Sequence, residues 1–266
     1  MITGHTKLYG IVAHPIAHVK TPEEMNNHFA SLGYDGVLVP FHVQPENLAT
    51  FIDTLRRIEN FGGLIVTVPH KTAILELCDS VVGDAAAIGA VNTIRRDPDG
   101  SLVGAMLDGK GFVRGLEASA IDVRGMKSCL LGAGGAASAI AFALAEAGVN
   151  SLRIVNRSAG KAEDLARRVA EHYPNVKASA GAPETASQDL VVNATSLGLR
   201  DGDPLPLEDT AFHSGQIVAE AIMEPEVTPI LATAREKGAL IHFGRPMLRQ
   251  QIRLMAEHMG VTPAKA

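Results

Sequence analysis

A glycine- and alanine-rich run between a short apolar stretch and a helix-forming segment constrains this chain most. Residues 129–131 (Cys129, Leu130, Leu131) read as the buried end of a strand. Gly132, Ala133, Gly134, Gly135, Ala136 and Ala137 follow and spell G-x-G-x-x-A. Residues 138–148 then form a helix that stops at Gly148. Strand, glycine turn and helix together are the setting in which this spacing binds a dinucleotide. Gly132 allows the tight turn, Gly134 lets the backbone approach a pyrophosphate, and Ala137 lets the helix close on the strand. The unpaired N–H groups at the helix start then face the phosphates. Outside that setting the same letters are an ordinary tight turn.

The next apolar run, residues 151–155, ends in Asn156, Arg157 and Ser158, with Lys161 shortly after. A site for NAD calls for a carboxylate at that strand end, to take the ribose 2′-hydroxyl. Two cations suit a 2′-phosphate instead, so the expected cofactor is NADP, with NAD possible. The alternative is a pair of solvated cations opening a helix.

Composition narrows the rest. The 266 residues are 46% hydrophobic, with 26 glycines, which fits a globular α/β protein with many tight turns. A net charge of −5, no Trp and only 3 Tyr argue against a nucleic-acid surface. Cys78 and Cys129 sit in apolar surroundings and read as reduced core thiols of a cytoplasmic protein. Residues 1–7 lack the apolar core of a signal peptide, and no apolar run is long enough to span a bilayer. The expected partner is a small-molecule substrate, not nucleic acid or membrane, and the expected state is monomer or homodimer.

Taken in order, residues 8–13 form a first strand and 14–20 a loop. Thr21 and Pro22 read as the N-cap and first residue of a helix ending at Gly33. Residues 36–41 are a strand, Pro45 opens a helix through 60, and 64–68 are a strand followed by another helix. Residues 90–96 and 101–105 flank Asp97-Pro98-Asp99-Gly100, a hairpin with strong turn chemistry. Asp108 opens a helix to about residue 120. Later strands fall at 176–178, 190–193, 217–219 and 240–243, and a last helix covers 247–259. Its face of Leu248, Ile252, Met255 and Met259 is apolar at helical spacing. Alternating strands and helices predict two α/β units with mainly parallel sheets. Ligands of such sheets lie beyond the carboxyl ends of the strands, which puts a substrate in a cleft between the units.

At this point the sequence resembles the shikimate/quinate dehydrogenase family. His14-Pro15-Ile16-Ala17-His18 is similar to the family's N-P-I-x-H loop, and Val66-Thr67-Val68-Pro69-His70-Lys71 to its V-T-x-P-x-K motif. Gly89-Ala90-Val91-Asn92-Thr93 is its G-A-V-N-T, and Asp108-Gly109-Lys110-Gly111 resembles D-G-x-G. Asn156-Arg157-Ser158 with Lys161 looks like its NADP clamp. Asn193-Ala194-Thr195-Ser196-Leu197-Gly198-Leu199 resembles N-A-T-S-x-G-L, and Met247-Leu248 with Gln251 resembles M-L-x-x-Q. The motifs run in order along nearly the whole chain.

The resemblance implies a substrate domain at 1–119, completed by 245–266, and a Rossmann NADP domain at 120–244, with the last helix returning to the first domain. It implies reversible hydride transfer between nicotinamide and a secondary alcohol or ketone. It implies Lys71 and Asp108 as the catalytic pair, and Thr21, Thr67, Asn92 and Gln251 as substrate ligands. Gly132, Ala133, Gly134, Gly135, Ala136, Asn156, Arg157, Ser158, Lys161, Thr195, Ser196, Gly244 and Met247 are the implied cofactor contacts. Chemically the lysine fits: hydride delivery to a ketone leaves an alkoxide, which an ammonium stabilises and protonates.

The departures cluster on the substrate. Two family serines that grip a carboxylate are Val19 and Thr21 here, and a family asparagine is Ile65. A family threonine is Leu107, an aspartate is Glu220, and a tyrosine is Met223. Each charged hydrogen bond lost removes about 1.5–3 kcal/mol. Shikimate itself is therefore expected to be handled weakly, with quinate, an aminoshikimate-type compound or another hydroxy acid open. His18 or His70 is expected to replace a lost polar contact, and Arg249 to be solvated. No metal is expected: Pro15 breaks helical pairing of His14 with His18, and no H-E-x-x-H accompanies them. The competing readings are a non-catalytic nucleotide sensor on the same fold and a dehydrogenase for an unrelated small substrate. Retention of Lys71 and Asp108 disfavours the first, and the G-A-V-N-T and N-A-T-S-x-G matches disfavour the second.

Overall fold

The computed structural model describes residues 2–17, 19–207 and 211–263; His18 lies outside them. Two compact α/β units form, one from residues 1–107 with 251–266, the other from 108–250. The contacts divide the chain at Leu107/Asp108 and Gln250/Gln251, where the sequence had suggested 119/120 and 244/245.

In the first unit β1 (Lys7–Ala13) leads to α1 (Thr21–Ser31), β2 (Gly36–His42), α2 (Leu48–Arg56) and β3 (Phe61–Val66). Then come β4 (Ser80–Val82), the single turn α3 (Ala85–Ile88), β5 (Thr93–Arg96) and β6 (Leu102–Ala105). The six-stranded sheet runs β2-β1-β3-β5-β6-β4. β1 pairs in parallel with β2 and with β3, and is a continuous buried run from Tyr9, as a central strand flanked on both sides must be. β5 and β6 form the expected antiparallel hairpin, closed by the Asp97 N–H to Ser101 carbonyl bond and a left-handed Gly100 (φ 89°). β4 pairs in parallel with the outer side of β6.

Two local expectations change. Thr21 is the first helical residue of α1; Lys20 occupies the N-cap, with no side-chain cap bond. Pro22 in the first turn and the Glu23 and Glu24 carboxylates favour the helix start instead. The segment after Lys71 is a short 3-10 turn, Ala73–Leu77, not a full helix.

The second unit starts at α4 (Asp108–Ala118) and continues β7 (Lys127–Leu131), α5 (Gly135–Glu146), β8 (Ser151–Val155), α6 (Ala159–His172) and β9 (Lys177–Ala180). β10 (Leu190–Asn193), β11 (Ile217–Glu220), α7 (Pro229–Glu236), β12 (Leu240–His242) and α8 (Arg245–His258) complete it. All pairings in its sheet are parallel, in the order β12-β11-β10-β7-β8-β9. That is the doubly wound dinucleotide-binding order, with its switch point between β7 and β10. The alanine-rich α5 is buried almost throughout, which only a helix of small side chains packed from several directions allows.

The first turns of α8 belong with this unit, where Met247 lies close against Gly115 of α4. From Gln251 onward the helix belongs with the first unit. There Met259 packs on Gly63 and the His258 Nε2 bonds the Val103 carbonyl at 2.9 Å. Ile252, Met255 and Met259 are buried, as their spacing predicts. Both cysteines are free thiols, and burial pushes Cys129 up to about 12 and Cys78 up to about 11, so neither is a thiolate at neutral pH. Among the described residues no helix is long and apolar enough to cross a membrane.

Candidate active site

In the first unit Thr67 directly follows β3, Asn92 directly precedes β5, Thr21 opens α1 and Gln251 lies in α8. The Thr67 N–H bonds the Val12 carbonyl at 3.1 Å, and the His14 N–H bonds the Val68 carbonyl at 3.1 Å, so the loops after β1 and β3 are tied together. The Lys71 carbonyl accepts from the Val91 N–H at 2.9 Å, which sets this loop beside Asn92. Asn92 is 1% exposed. Its carbonyl accepts from the Val66 N–H at 2.8 Å, and its Oδ1 accepts from the Leu107 N–H at 2.9 Å and the Thr93 hydroxyl at 3.0 Å. Asn92 thus pins the chain one residue before Asp108. Lys71, Thr67 and Thr21 are half-buried, and Gln251 is buried.

His70 departs from its expected role. It is 1% exposed and its Nε2 bonds the Val43 carbonyl at 2.9 Å, so it fastens the loop and does not reach outward. Burial lowers its pKa, partly opposed by that carbonyl, and keeps the ring neutral. His14 and His42 bond each other at 2.9 Å between ring nitrogens. A groove of about 580 Å³ opens beside them, between the end of β2 and α2, and includes none of the implied site residues. Among the described residues no group of three His, Cys, Asp or Glu side chains is placed to hold a metal ion. Ile65 is buried at 3% exposure and presents no polar group, while Val19 and Met223 are half-buried. Arg249 is exposed on α8.

In the second unit Asp108 is 4% exposed and opens α4, where the helix dipole favours an anion. Gly132 turns with φ 115°, its N–H on the Val155 carbonyl at 2.7 Å. Gly134 caps α5 with no side-chain hydrogen bond, and a Cβ on Gly134 or Gly135 would meet nothing within 4 Å. Open space over an uncapped helix start is what a pyrophosphate needs. Asn156 is half-buried, and its Nδ2 donates to the Ser158 carbonyl at 3.1 Å. Arg157, Ser158 and Lys161 are exposed at the end of β8, and neither cation makes an ion pair among the described residues.

The loop after β10 is highly ordered by its own side chains. Asn193 Oδ1 accepts from the Thr195 N–H at 3.1 Å and the Thr195 hydroxyl at 2.7 Å, and the Leu197 N–H donates to Thr195 Oγ1 at 3.1 Å. Ser196 is exposed at its tip. Gly244 lies directly on the Ile222 carbonyl, closer than any side chain permits. Glu220, read from sequence as an altered substrate contact, is fully buried. Its Oε1 accepts from the Ala221 and Ile222 N–H groups at 2.9 and 3.0 Å, its Oε2 from Asn193 Nδ2 at 3.0 Å and the Thr228 hydroxyl at 2.7 Å. Burial holds its carboxyl above the usual carboxylate range, and the four donors oppose only part of that shift. Sequence reasoning missed this cluster because its donors come from three separate places in the chain.

Residues 11–94 match the shikimate dehydrogenase substrate binding domain, and residues 116–198 match shikimate / quinate 5-dehydrogenase. The chain belongs to the shikimate dehydrogenase family. A shikimate dehydrogenase (NADP(+)) from Rubrobacter xylanophilus is 38% identical, over 98% of this chain and 94% of the relative. The structure of shikimate 5-dehydrogenase from Listeria monocytogenes, in complex with shikimate and NAD, superposes with a TM-score of 0.91 at 32% identity, covering 99% of this chain and 94% of that one. A ligand-free 5-ketofructose reductase of Gluconobacter is similarly alike, with a TM-score of 0.90, 30% identity and coverages of 98% and 96%.

Proposed function

We propose that the protein is an NADP-dependent dehydrogenase that interconverts a secondary alcohol and a ketone on a shikimate- or quinate-like cyclic hydroxy acid. The observation that carries this reading is the near full-length match to shikimate dehydrogenases in a chain that keeps Lys71 and Asp108. The unit of residues 1–107 and 251–266 serves as the substrate domain in this reading, and the doubly wound unit, 108–250, serves the cofactor. Gly132, Ala133, Gly134, Gly135 and Ala136 would cradle the pyrophosphate. Asn156, Arg157, Ser158 and Lys161 would take the 2′-phosphate side, and Thr195, Ser196, Gly244 and Met247 would line the rest. The bound cofactor supplies or accepts the hydride.

The chain's own part is the proton and the pose. The Lys71 ammonium stabilises the oxygen that becomes an alkoxide and gives it a proton; in the other direction the amine removes that proton. Asp108 orients the ammonium, and its charge favours the protonated form. Thr21, Thr67, Asn92 and Gln251 hold the ring substituents. The free thiols, Cys129 buried and Cys78 half-buried, support a cytoplasmic protein, working as a monomer or homodimer.

A panel of shikimate, quinate, an aminoshikimate and 5-ketofructose, each with NADP(H) and NAD(H), followed at the nicotinamide absorbance, tests the reading. Turnover of none of them would remove it. The ketose is included because the Gluconobacter likeness and the apolar Val19 favour an uncharged substrate as the second reading.

Two results are expected from substitutions. Arg157→Ala should weaken NADP+ binding about tenfold or more and leave NAD+ within about twofold, since only NADP+ carries the 2′-phosphate. Equal loss of both cofactors would reject that role. Val19→Ser with Met223→Tyr should raise kcat/KM for shikimate by about tenfold, or 1.4 kcal/mol. Both single variants must accompany the double one, since positions that share a ligand couple. A double variant no better than its parent would mean that the lost contacts are replaced elsewhere.

A further inference from the structure

Glu220 is a carboxylate that the proposed chemistry does not use. It ends β11 with 0% exposure, yet it accepts from four donors in three parts of the chain. Two are the first N–H groups of its own loop, one is Thr228 at the start of α7, and one is Asn193 at the end of β10. Both oxygens are thus engaged, Oε1 by the two backbone N–H groups and Oε2 by Asn193 and Thr228.

The Asn193 link matters most. Its Nδ2 donates both to Glu220 and to the Leu197 carbonyl at 3.1 Å, while its Oδ1 holds Thr195. The amide orientation is therefore fixed from both ends, and with it the loop that carries Thr195 and Ser196. The same loop has little room on its other sides. The Ala194 carbonyl would sit 2.9 Å from a Cβ on Gly132, and Thr228 Cβ would sit 3.3 Å from one on Gly198. Asp203 Oδ2 closes the far end, accepting from the Gly198 and Arg200 N–H groups at 3.1 and 3.0 Å.

We propose that Glu220 is the positioning residue of the nucleotide site, holding residues 193–198 in the shape that presents Thr195 and Ser196 to NADP. The inference rests on the proposed NADP reading for its ligand, but its structural half stands on this unit alone.

Glu220→Gln separates positioning from mere bulk. The glutamine oxygen keeps the two backbone N–H groups, and its NH2 then faces Asn193 Nδ2, donor against donor. Asn193 escapes only by turning over, which breaks its bonds to Thr195. Titration calorimetry should show NADP+ bound about tenfold more weakly. KM for NADP+ should rise in step, with KM for the alcohol within about twofold. Without any cofactor, backbone amides of residues 194–199 should exchange hydrogen faster than in the parent, with other segments of the unit unchanged.

Asn193→Asp added to Glu220→Gln again pairs an acceptor with a donor and should recover part of the affinity. If Glu220→Gln fails to fold, Asn193→Asp alone serves: its carboxylate still accepts from Thr195 but faces Glu220 acceptor against acceptor, so the link between the two is lost. The proposal then expects the same faster exchange at 194–199. NADP+ affinity and loop exchange that match the parent in a folded variant would overturn it, as would faster exchange spread evenly over the unit. A parent that binds no NADP+ would instead reject the proposed function, and the exchange measurement would still decide the role of Glu220.

Discussion

Lys71→Ala is expected to lower kcat by about a thousandfold on the best substrate while NADP+ binds as tightly as before. Two effects are removed together. Proton transfer by a placed group contributes about 10²–10⁴ in rate, and a cation facing the developing alkoxide adds electrostatic stabilisation. The proposed cofactor cradle, around Gly132 and Arg157, belongs to the other unit, so its affinity has no reason to follow. Lys71→Arg sharpens the test: it retains the charge but cannot give up a proton near neutral pH. If charge alone mattered, arginine would restore most of the rate. The proposed role expects it to remain at least about tenfold below the parent. Steady-state kinetics and calorimetric titration of each variant with NADP+ provide both numbers. A kcat for Lys71→Ala within a few-fold of the parent would take this residue out of the mechanism.

The doubly wound unit was legible because its signals are local. The strand, glycine turn and helix of the G-x-G-x-x-A stretch are continuous in sequence, and β7, β8, β10 and β11 are short apolar runs with clear stops. What escaped the sequence depends on partners far along the chain. β4 is three residues with no pattern of its own, and becomes a strand only by pairing with β6. β3 was expected at 64–68 and lies at Phe61–Val66, since Thr67 already begins the turn to Pro69. His70 looked like a candidate ligand because nothing nearby shows that its ring bonds Val43, 27 residues earlier. Glu220 looked like a substituted substrate contact for the same reason: Asn193 also lies 27 residues before it. The unit boundary follows this logic. A helix that begins at Asp108 reads as the end of the first unit, and only the packing of α4 on α5 assigns it to the second.

That packing supports the second large effect. Gly109→Ala is expected to destabilise the protein by about 3 kcal/mol or more, although Ala is the better helix former by about 1 kcal/mol. A Cβ on Gly109 would overlap the Ala139 carbonyl and stand 2.9 Å from Ala143 Cβ. The obstacle is helix backbone, which cannot turn aside as a side chain does, so α4 must move away from α5. Its first turn carries Asp108, immediately before the substituted position. The displacement should therefore lower kcat as well, by about tenfold or more if Asp108 orients Lys71 as proposed. Gly160→Ala is the control. It lies in α6 with nothing within 4 Å of its Cβ position, and should stabilise by about 0.5–1 kcal/mol with activity unchanged. Urea unfolding midpoints of the two variants, measured beside kcat, read both effects. If Gly109→Ala unfolds at the parent's midpoint, the close approach of α4 to α5 is not a constraint on this fold. If it loses stability but keeps full kcat, Asp108 does not depend on that approach for its position.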